Sequence, residues 1–287
     1  TPALAWTLLP ASAYLGRRPR SCGSGSGRST ITKLRVPDFD SPFVHAEVRN
    51  RVLYLRIDRP ERRNAFTQDM YRAMKRAAVW SARQDELDAV CLTGTDRWFG
   101  AGGDLGGRTA SGVSGLDEEW DGTEHFPFRH IERSPKIWVA AVNGVCHAGG
   151  IDLCLHCDVV IASDRATFRV PELLRGLPDP FMPARLVASV GLAKARWLIF
   201  TAAEIDASTA ERIGLVGETV PHDQLESRVE WVLEQIRATG PGARAALKRD
   251  INDRLPSANL DLFARVPSAE IQEGMRSFIE KREPQWR

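Results

Sequence analysis

Residues 139–152 constrain the fold and the function of this 287-residue chain more than any other segment. An apolar run ends at Asn143-Gly144, which is the pattern of a short buried strand that leads into a turn. Gly149 and Gly150 follow, and Asp152 stands at the start of a predicted helix. Glycine lets a backbone approach a bulky group closely, and the first turn of a helix offers unpaired N–H groups with a partial positive charge. The segment therefore predicts a unit that stabilises an oxyanion beside a carboxyl group.

A second segment repeats this arrangement. Residues 89–94 form a predicted apolar strand, and a glycine-rich loop that contains Asp104 follows at residues 100–105. One N–H group from each loop could bind the same oxygen, which is the simplest oxyanion hole with two donors. Each segment alone also fits an ordinary corner between a strand and a helix. The two together, each with an acidic residue close behind, favour an active site.

Several further motifs stand in a fixed order along the chain. Residues 59–66 read RPERRNAF, residues 99–105 read FGAGGDL, residues 140–144 read AAVNG, and residues 168–173 read FRVPEL. IGLV at 213–216, EGM at 273–275 and EKR at 280–282 follow. From about Val48 to the C-terminus, this ordered set resembles the crotonase family, also called the enoyl-CoA hydratase/isomerase family. The resemblance implies an α/β fold, a crotonase-like spiral of ββα units with a C-terminal helical region for trimerisation.

The resemblance also implies the chemistry. By motif position, the N–H groups of Gly103 and Gly149 form the oxyanion hole for a thioester carbonyl, and Asp152 and Glu172 are the catalytic acids. Two carboxyl groups on either side of a water molecule can hydrate a double bond, because one activates the water at Cβ and the other delivers a proton to Cα. The first expectation is therefore an enoyl-CoA hydratase.

Two departures from the hydratase pattern leave other activities open. Asp152 stands where hydratases carry Glu, and Ala148 replaces the first glycine of the usual triplet. Dienoyl-CoA isomerases resemble this chain in having Asp at the position of Asp152 and Glu at the position of Glu172. They carry a further Asp four residues beyond the glycine that corresponds to Gly176. Pro180 occupies that position here, with Asp179 one residue early. An enoyl-CoA or dienoyl-CoA isomerase, an acyl-CoA hydrolase and a non-catalytic acyl-CoA-binding protein therefore remain alternatives.

Contacts with coenzyme A are implied at three places. The loop at residues 62–65 resembles one that approaches adenine and pantetheine through its backbone, and its arginines suit phosphate binding, although a solvated basic turn fits equally well. The C-terminal helix resembles one that reaches the CoA of a neighbouring subunit. No metal or redox cofactor is expected, since coenzyme A is part of the substrate. The expected contacts are Arg62, Arg63, Asn64, Ala65, Ala101, Gly102, Asp104, Leu105, Phe278 and Lys281.

Composition restricts the partners. The net charge of +2 gives no reason to expect nucleic acid, and no apolar run approaches the roughly 20 residues of a membrane span. Five cysteines without regular spacing argue against a disulfide scaffold. Cys154 and Cys157 form a C-x-x-C without a second pair, so we predict that they lie in the core rather than in a zinc or redox site. A homotrimer, or a hexamer made of two trimers, is the expected assembly.

Three regions are predicted. Residues 1–40 are a disordered or targeting extension, whose basic, acid-poor composition is typical of organellar transit peptides. Arginine outnumbers lysine along the whole chain, which is typical of high-GC coding, and this bias alone would give a basic N-terminal tail. A cytoplasmic location is therefore expected, with the mitochondrial matrix as the alternative if the tail is a transit peptide. Residues 41–205 form the crotonase core with the acyl-CoA site, and residues 206–287 form a C-terminal helical region for oligomerisation.

Hydrophobic periodicity and capping residues place the individual elements. Strands that alternate with helices imply parallel βαβ units. Thr67 is a predicted helix N-cap. Strands are predicted at residues 52–57, 89–93, 137–142 and 158–162, helices at 67–83, 184–190, 192–201, 208–213, 223–238 and 260–282, and a long polar loop at 106–124.

Overall fold

Ten strands and eight α-helices build the part of the chain that the computed structural model describes, residues 34–104, 126–256 and 258–286. The strands are β1 (Val44–Arg49), β2 (Val52–Ile57), β3 (Ala89–Gly94), β4 (Trp98–Gly100), β5 (Ile137–Val142), β6 (Val145–His147), β7 (Val159–Ser163), β8 (Thr167–Arg169), β9 (Ile205–Asp206) and β10 (Glu218–Val220). The helices are α1 (Gln68–Ala82), α2 (Phe128–Arg133), α3 (Gly149–His156), α4 (Met182–Thr201), α5 (Ala207–Arg212), α6 (Leu225–Arg237), α7 (Pro241–Asp253) and α8 (Ser268–Glu280).

The strands form two sheets. The six-stranded sheet has the order β1-β2-β3-β5-β7-β10, in which only the β1–β2 pair is antiparallel. The four-stranded sheet has the order β4-β6-β8-β9, with an antiparallel β8–β9 pair. The chain passes from β3 to β4, from β5 to β6 and from β7 to β8, so each long strand is followed by a short one in the second sheet. This repeated step is the crotonase spiral that the motifs predicted.

The six-stranded sheet is buried on both faces. On one face, side chains such as Leu55 and Leu92 pack with Met74 of α1. On the other face, side chains such as Val139 pack with Leu233 of α6. Each fully buried side chain of this size contributes roughly 1.5–3 kcal/mol of transfer free energy. The layered core fixes the ends of β3 and β5, from which the chain steps into β4 and β6 and reaches the two glycine loops.

Local signals predicted several elements well. The predicted strand at 137–142 coincides with β5, and Thr67 accepts a hydrogen bond from Met70 N–H as the N-cap of α1. The two helices predicted on either side of residue 191 are the two parts of α4, which breaks at Gly191 with φ of 75°. Strand β1 and helix α7 were not predicted. The polar loop predicted at 106–124 lies outside the described residues.

One prediction for the C-terminal region needs correction. The single helix predicted at 260–282 is wrong, since a 3-10 helix at Leu260–Arg265 is followed by α8. Pro267, the N-cap of α8, has no N–H group to donate and disfavours helical backbone at Val266. The C-terminal region is mainly helical, as predicted, and it also contributes strand β10, which pairs with β7 at the edge of the main sheet. In the described part of the chain, no helix has the length and apolar character needed to cross a bilayer.

Candidate active site

The loop after β4 presents the Gly103 amide away from the neighbouring backbone. Phe66 N–H donates to the Gly102 carbonyl at 2.8 Å, and Asp104 N–H donates to the Phe66 carbonyl at 2.8 Å. Because Gly103 lies between these two bonds in a parallel bridge, its own N–H points to the opposite side. A Cβ built on Gly103 meets no atom within 4 Å, so there is open space where a side chain of this residue would stand. Gly103 therefore lies where a ligand can approach its backbone.

The second glycine loop approaches the first at close range. Gly149 is the first residue of α3, so its N–H belongs to the first helical turn, which has no intrahelical acceptor. A Cβ on Gly102, whose φ is 94°, would collide with the Cβ of Ala148 and lie 3.5 Å from the Gly149 nitrogen. A Cβ on Gly149 would collide with the Tyr71 hydroxyl. The structure thus brings the two predicted loops together and leaves no room for side chains at Gly102 or Gly149.

Ala148 adopts a conformation that favours glycine. Its φ of 52° and ψ of −126° lie in a region that non-glycine residues rarely occupy. Hydrogen bonds hold it there, since its N–H donates to Arg169 O at 3.0 Å and its carbonyl accepts from Ile151 N–H at 2.7 Å. The residue that departs from the family's glycine triplet is therefore strained, and the surrounding bonds keep the start of α3 in place.

Asp152 is a buried acid on α3. The residue is 2% exposed, and no N–H or O–H group among the described residues donates to its Oδ1 atom. Burial raises the pKa of Asp152 well above its usual range, and the nearby Asp179 and Glu172 raise it further. Such surroundings favour the protonated form of the acid.

Glu172 opens a 3-10 helix at Glu172–Arg175. The residue as a whole is half-buried, but its Oε2 atom is buried and has no hydrogen-bond partner among the described residues. Burial, and after it the charge of Asp179, raise the pKa of Glu172 to about 8. Two buried carboxyl groups with raised pKa values are typical of acid–base sites.

Asp179 joins the two predicted acids. Its Oδ1 atom accepts the N–H groups of Phe181, at 2.7 Å, and Met182, at 2.9 Å, at the start of α4. Its negative charge also raises the pKa of Asp152. Although Asp179 stands one residue before the position of the isomerase motif, its charge acts on both of the other acids. The Asp-between-prolines pattern was the one sequence signal for this third carboxyl group.

Aromatic side chains from distant parts of the chain pack beside the acids and the loops. Tyr71 lies 4.8 Å from Phe126 between ring centroids, and Phe126 lies 5.5 Å from Phe128 and 5.1 Å from Phe181. Phe66 extends the cluster, 5.3 Å from Tyr71. The cluster adjoins Gly149 through the Tyr71 hydroxyl, and Phe181 is bonded to Asp179 through its backbone N–H. Sequence reasoning missed it because its members are far apart in the chain.

Several residues predicted to contact CoA hold the loops in place. Asn64 is fully buried, where it accepts Arg59 N–H at 2.7 Å and donates to Trp98 O at 2.7 Å. Asp104 pairs with the Arg59 guanidinium at 2.6 Å. Ala101 N–H donates to Arg63 O at 3.2 Å, which ties the two loops together. The side chains of Asn64 and Asp104 are therefore engaged within the protein, and contact of these residues with CoA stays a prediction.

An exposed basic surface borders these loops. Arg62 and Arg63 are exposed, and the guanidinium groups of Arg63 and Arg97 lie 5.5 Å and 4.7 Å from the centre of the Trp98 ring. Arg97 was not predicted, although it follows the second apolar strand in the sequence. Ala65 lies in the same turn, with its N–H donating to Arg62 O at 3.0 Å. Leu105 lies outside the described residues.

Helix α8 packs against the turn that carries Glu172. A Cβ on Gly274 would collide with the Arg175 carbonyl, and a Cβ on Gly176 would lie 2.9 Å from Glu270 O. The Arg175 guanidinium lies 4.4 Å from the centre of the Phe278 ring of the same chain. Lys281 ends α8 with a left-handed φ of 53°. The predicted contact of Phe278 and Lys281 with a neighbouring subunit's ligand stays a prediction.

The two cysteines of the C-x-x-C motif belong to the interior of the fold. Cys154 is 2% exposed, and its Sγ atom lies 3.6 Å from that of Cys146, while Cys157 is partly buried. Burial raises the pKa of Cys154 and Cys157 well above the usual value for a thiol. A buried thiol of this kind is chemically inert, which agrees with the predicted core position.

The enoyl-CoA hydratase/isomerase family model matches residues 47–287 of this chain. A mevalonyl-coenzyme A hydratase of Aspergillus fumigatus is 33% identical over 82% of this chain and 91% of its own length. A crotonyl-CoA hydratase of Syntrophomonas wolfei is 32% identical over 85% of this chain and 96% of its own length. The crystal structure of an enoyl-CoA hydratase/isomerase from Pseudoalteromonas atlantica has a TM-score of 0.74 and 30% identity, covering 85% of this chain and 100% of that one. The chain belongs to the enoyl-CoA hydratase/isomerase family and is an enzyme of this family with the crotonase fold.

Proposed function

We propose that the protein is an enoyl-CoA hydratase, which adds water across the 2,3 double bond of an enoyl-CoA thioester. The observation that carries this proposal is the pair of buried acids, Asp152 and Glu172, each with a carboxyl oxygen that no described group donates to. The names of the Aspergillus and Syntrophomonas relatives support a hydratase. Two such acids beside two glycine amides meet the chemical needs of hydration.

The amides of Gly103 and Gly149 act on the thioester carbonyl oxygen. As a nucleophile adds at Cβ, negative charge moves to this oxygen and the acyl group becomes an enolate. Two N–H donors held in place before the reaction stabilise that charge, and the loss of one such donor typically costs about 3 kcal/mol. The close approach of the loops at Gly102 supports this role, since side chains there would separate the two amides.

Asp152 and Glu172 move the protons. An ionised carboxylate accepts a proton from water as the water oxygen bonds to Cβ, and a neutral carboxyl group gives its proton to Cα as the enolate collapses. The sum is the addition of one water molecule, with one acid left protonated and the other ionised. Their exchange of protons with solvent restores the starting state. The aromatic cluster supports the step, because it keeps other water molecules away from the enolate.

The exposed arginines beside the loops bind the CoA moiety in this proposal. Arg62, Arg63 and Arg97 carry positive charge where a nucleotide could stack near Trp98, and guanidinium groups suit phosphate oxygens. In this proposal, replacing Arg63 by alanine raises KM more than it lowers kcat. No resident cofactor takes part.

A homotrimer, or a hexamer of two trimers, is the assembly that we propose. Large apolar side chains are exposed on the described surface, among them Trp197, Phe200, Leu247 and Ile251, with Phe200 at 72%. Apolar surface of this kind supports a protein–protein interface. Light scattering coupled to size-exclusion chromatography measures the mass directly, and a monomer would contradict the proposed assembly.

A dienoyl-CoA isomerase is the second candidate, because of Asp179. Three carboxyl groups in one site, rather than two, resemble the isomerase pattern that the sequence left incomplete. An isomerase returns a proton to a remote carbon of the acyl chain and adds no water. The third acid is therefore the specific observation that favours this alternative.

Turnover of crotonyl-CoA tests the proposal. A hydratase removes the absorbance of the enoyl thioester as 3-hydroxybutyryl-CoA forms. If crotonyl-CoA and longer 2-enoyl-CoA substrates stay unchanged while a 3,5-dienoyl-CoA changes its spectrum, the isomerase is correct. Release of free CoA from a saturated acyl-CoA would instead indicate a hydrolase, and no change with any of the three would indicate a binding protein.

A further inference from the structure

A tyrosine hydroxyl lies beside the second glycine loop. A Cβ built on Gly149 would overlap the hydroxyl oxygen of Tyr71, a residue in the first turns of α1. Because a Cα–Cβ bond is only about 1.5 Å long, this oxygen lies within about 4 Å of the Gly149 Cα. The hydroxyl group thus stands where a side chain of Gly149 would stand.

The hydroxyl lies on the side of α3 to which the Gly149 N–H points. In an α-helix the Cα–Cβ bonds tilt toward the N-terminus, and the first N–H groups point out of the same end. Gly149 is the first residue of α3. A group at its Cβ position therefore borders the space before the helix, which is the space that its N–H group faces.

The two donors are close enough to bind one oxygen. Donors that each lie about 2.9 Å from a shared acceptor can be separated by up to about 5.8 Å. The Gly149 nitrogen is about 1.5 Å from its Cα, and the Tyr71 oxygen is within about 4 Å of that Cα. Their separation is therefore below this limit.

Packing fixes the position of Tyr71. The residue is 8% exposed, and its ring centroid lies 5.3 Å from that of Phe66 and 4.8 Å from that of Phe126. Its N–H donates to Thr67 O at 3.1 Å, and Phe66 N–H donates to Gly102 O at 2.8 Å in the first glycine loop. The ring is therefore packed against a residue that is bonded to the other half of the oxyanion hole. A donor held in place in this way stabilises a developing charge without reorganisation.

We propose that Tyr71 is a further catalytic residue, whose hydroxyl group donates a third hydrogen bond to the thioester oxygen beside the N–H groups of Gly103 and Gly149. A tyrosine hydroxyl supplies one O–H donor, and such a donor is suited to an oxygen that gains negative charge. This inference rests on the proposed function and adds a residue to its oxyanion hole.

The variant Tyr71→Phe removes the donor and keeps the ring. The contacts with Phe66 and Phe126 involve the ring and are preserved. We expect kcat for hydration to fall about 10²-fold, the lower end of the range for one oxyanion donor, since two amides remain. KM should change much less, because the bond strengthens as charge develops. A rise in KM with an unchanged kcat would show that Tyr71 only lines the site, and the proposal would be wrong.

Tyr54→Phe is the matched control. Tyr54 of β2 packs on the opposite face of the main sheet from Tyr71, and its hydroxyl donates to Glu230 Oε1 at 2.7 Å. Loss of a buried hydroxyl there should leave kcat unaltered. If Tyr71→Phe behaves like Tyr54→Phe, Tyr71 is a packing residue and the proposal fails, although the hydratase function stands.

A double variant tests the position of the hydroxyl without any activity. Gly149→Ala should lower the midpoint of chemical denaturation, because the new methyl group overlaps the Tyr71 oxygen. In the Tyr71→Phe background the nearest ring carbon, Cζ, lies 3.6 Å from that methyl position, which is an ordinary contact. The loss should therefore be smaller there. An equal loss in both backgrounds would show that the hydroxyl does not stand at Gly149 and would overturn the proposal.

Infrared spectroscopy of bound butyryl-CoA, labelled with carbon-13 at the thioester carbonyl, tests the hydrogen bond itself. This thioester has no double bond to hydrate or shift. We expect its carbonyl band to move to lower frequency on binding to the wild type and to Tyr54→Phe, and to move less on binding to Tyr71→Phe. Equal band positions in the wild type and Tyr71→Phe would overturn the proposal, even with full turnover of crotonyl-CoA. The expected band shifts in a protein that hydrates no 2-enoyl-CoA would uphold the role of Tyr71 and refute only the hydratase function.

Discussion

The two proposed catalytic acids stand on very different supports. Asp152 belongs to α3, a helix that is buried along nearly its whole length and is fixed by bonds to Ala148 and His156. Glu172 opens a 3-10 helix of four residues, in which Leu173 and Leu174 are exposed by 38% and 37%. The position of one acid is therefore set by the core around its own motif. The position of Glu172 depends on the elements that pack against its short 3-10 helix.

Helix α8 is the element that packs against that turn. Gly274 faces the Arg175 carbonyl so closely that no Cβ fits between them, and Gly176 faces the backbone of Glu270 in the same way. A residue about a hundred positions later in the sequence thus limits where Glu172 can lie. Two acids of one site can therefore be held in position by different parts of the chain, Asp152 by the core around α3 and Glu172 by α8.

Removing either acid should have the largest effect. In a hydratase, Glu172→Gln and Asp152→Asn each lower turnover of 2-enoyl-CoA by about 10²–10⁴-fold, because water activation and protonation of Cα both need a carboxyl group. Steady-state kinetics with a control for retained CoA binding measures this. In an isomerase the two losses need not be equal. A near-wild-type rate for Glu172→Gln would refute the role of that residue.

A change in the packing of α8 should affect Glu172 and leave Asp152 in place. We expect Gly274→Ala to lower kcat about 10- to 100-fold, because the added methyl group pushes α8 and the Glu172 turn apart by about 1 Å. Gly242→Ala is the control, since a Cβ there meets no atom within 4 Å, and it should leave kcat unchanged. Equal rates for both variants would show that α8 does not position Glu172.

The two acids should also reduce stability as pH rises. The folded-state pKa of Glu172 is raised to about 8, so its contribution to stability is present below the unfolded pKa of about 4.3 and is lost as pH rises through about 8. Glu172→Gln removes this loss, and its melting temperature should therefore exceed that of the wild type by an amount that grows between those pH values. Each kcal/mol corresponds to about 2–4 °C. Differential scanning fluorimetry across this range tests it, and a difference that is constant with pH would contradict it.

The smallest effect is expected beside Asp152. Ala148→Gly relieves the strained φ of 52° and should stabilise the fold by about 1 kcal/mol or less, since glycine also gains freedom in the unfolded chain. The turnover number should stay within about twofold, because the bonds around α3 already fix Asp152. Chemical denaturation and steady-state kinetics measure the two quantities. A clear loss of rate would show that this support is less robust than its burial indicates.

Local patterns in the sequence were sufficient for much of the fold. Strand β5 and helix α1 follow from an apolar run and from a Thr67 cap, which are properties of adjacent residues. The glycine loops and both acids followed from motifs. The break before α8 was not predicted, because the apolar periodicity of residues 260–282 continues through Pro267. The proline itself is a signal for a helix boundary.

Other features depend on contacts between distant residues and could not be predicted. Whether Asp179 acts on Asp152 depends on the path of the chain between two prolines, which the sequence leaves open. The packing of Gly274 on Arg175 and the cluster of Tyr71 with Phe126 join segments far apart in the chain.

The source of the added oxygen is the most direct test of the central claim, that this site adds water to an enoyl-CoA. The wild-type enzyme is incubated with crotonyl-CoA in water labelled with oxygen-18, and the products are analysed by mass spectrometry. We predict a 3-hydroxyacyl-CoA that carries one labelled oxygen at Cβ, formed far more slowly by Glu172→Gln. Unlabelled substrate, a product with only a shifted double bond, or free CoA with a labelled acid would contradict the account.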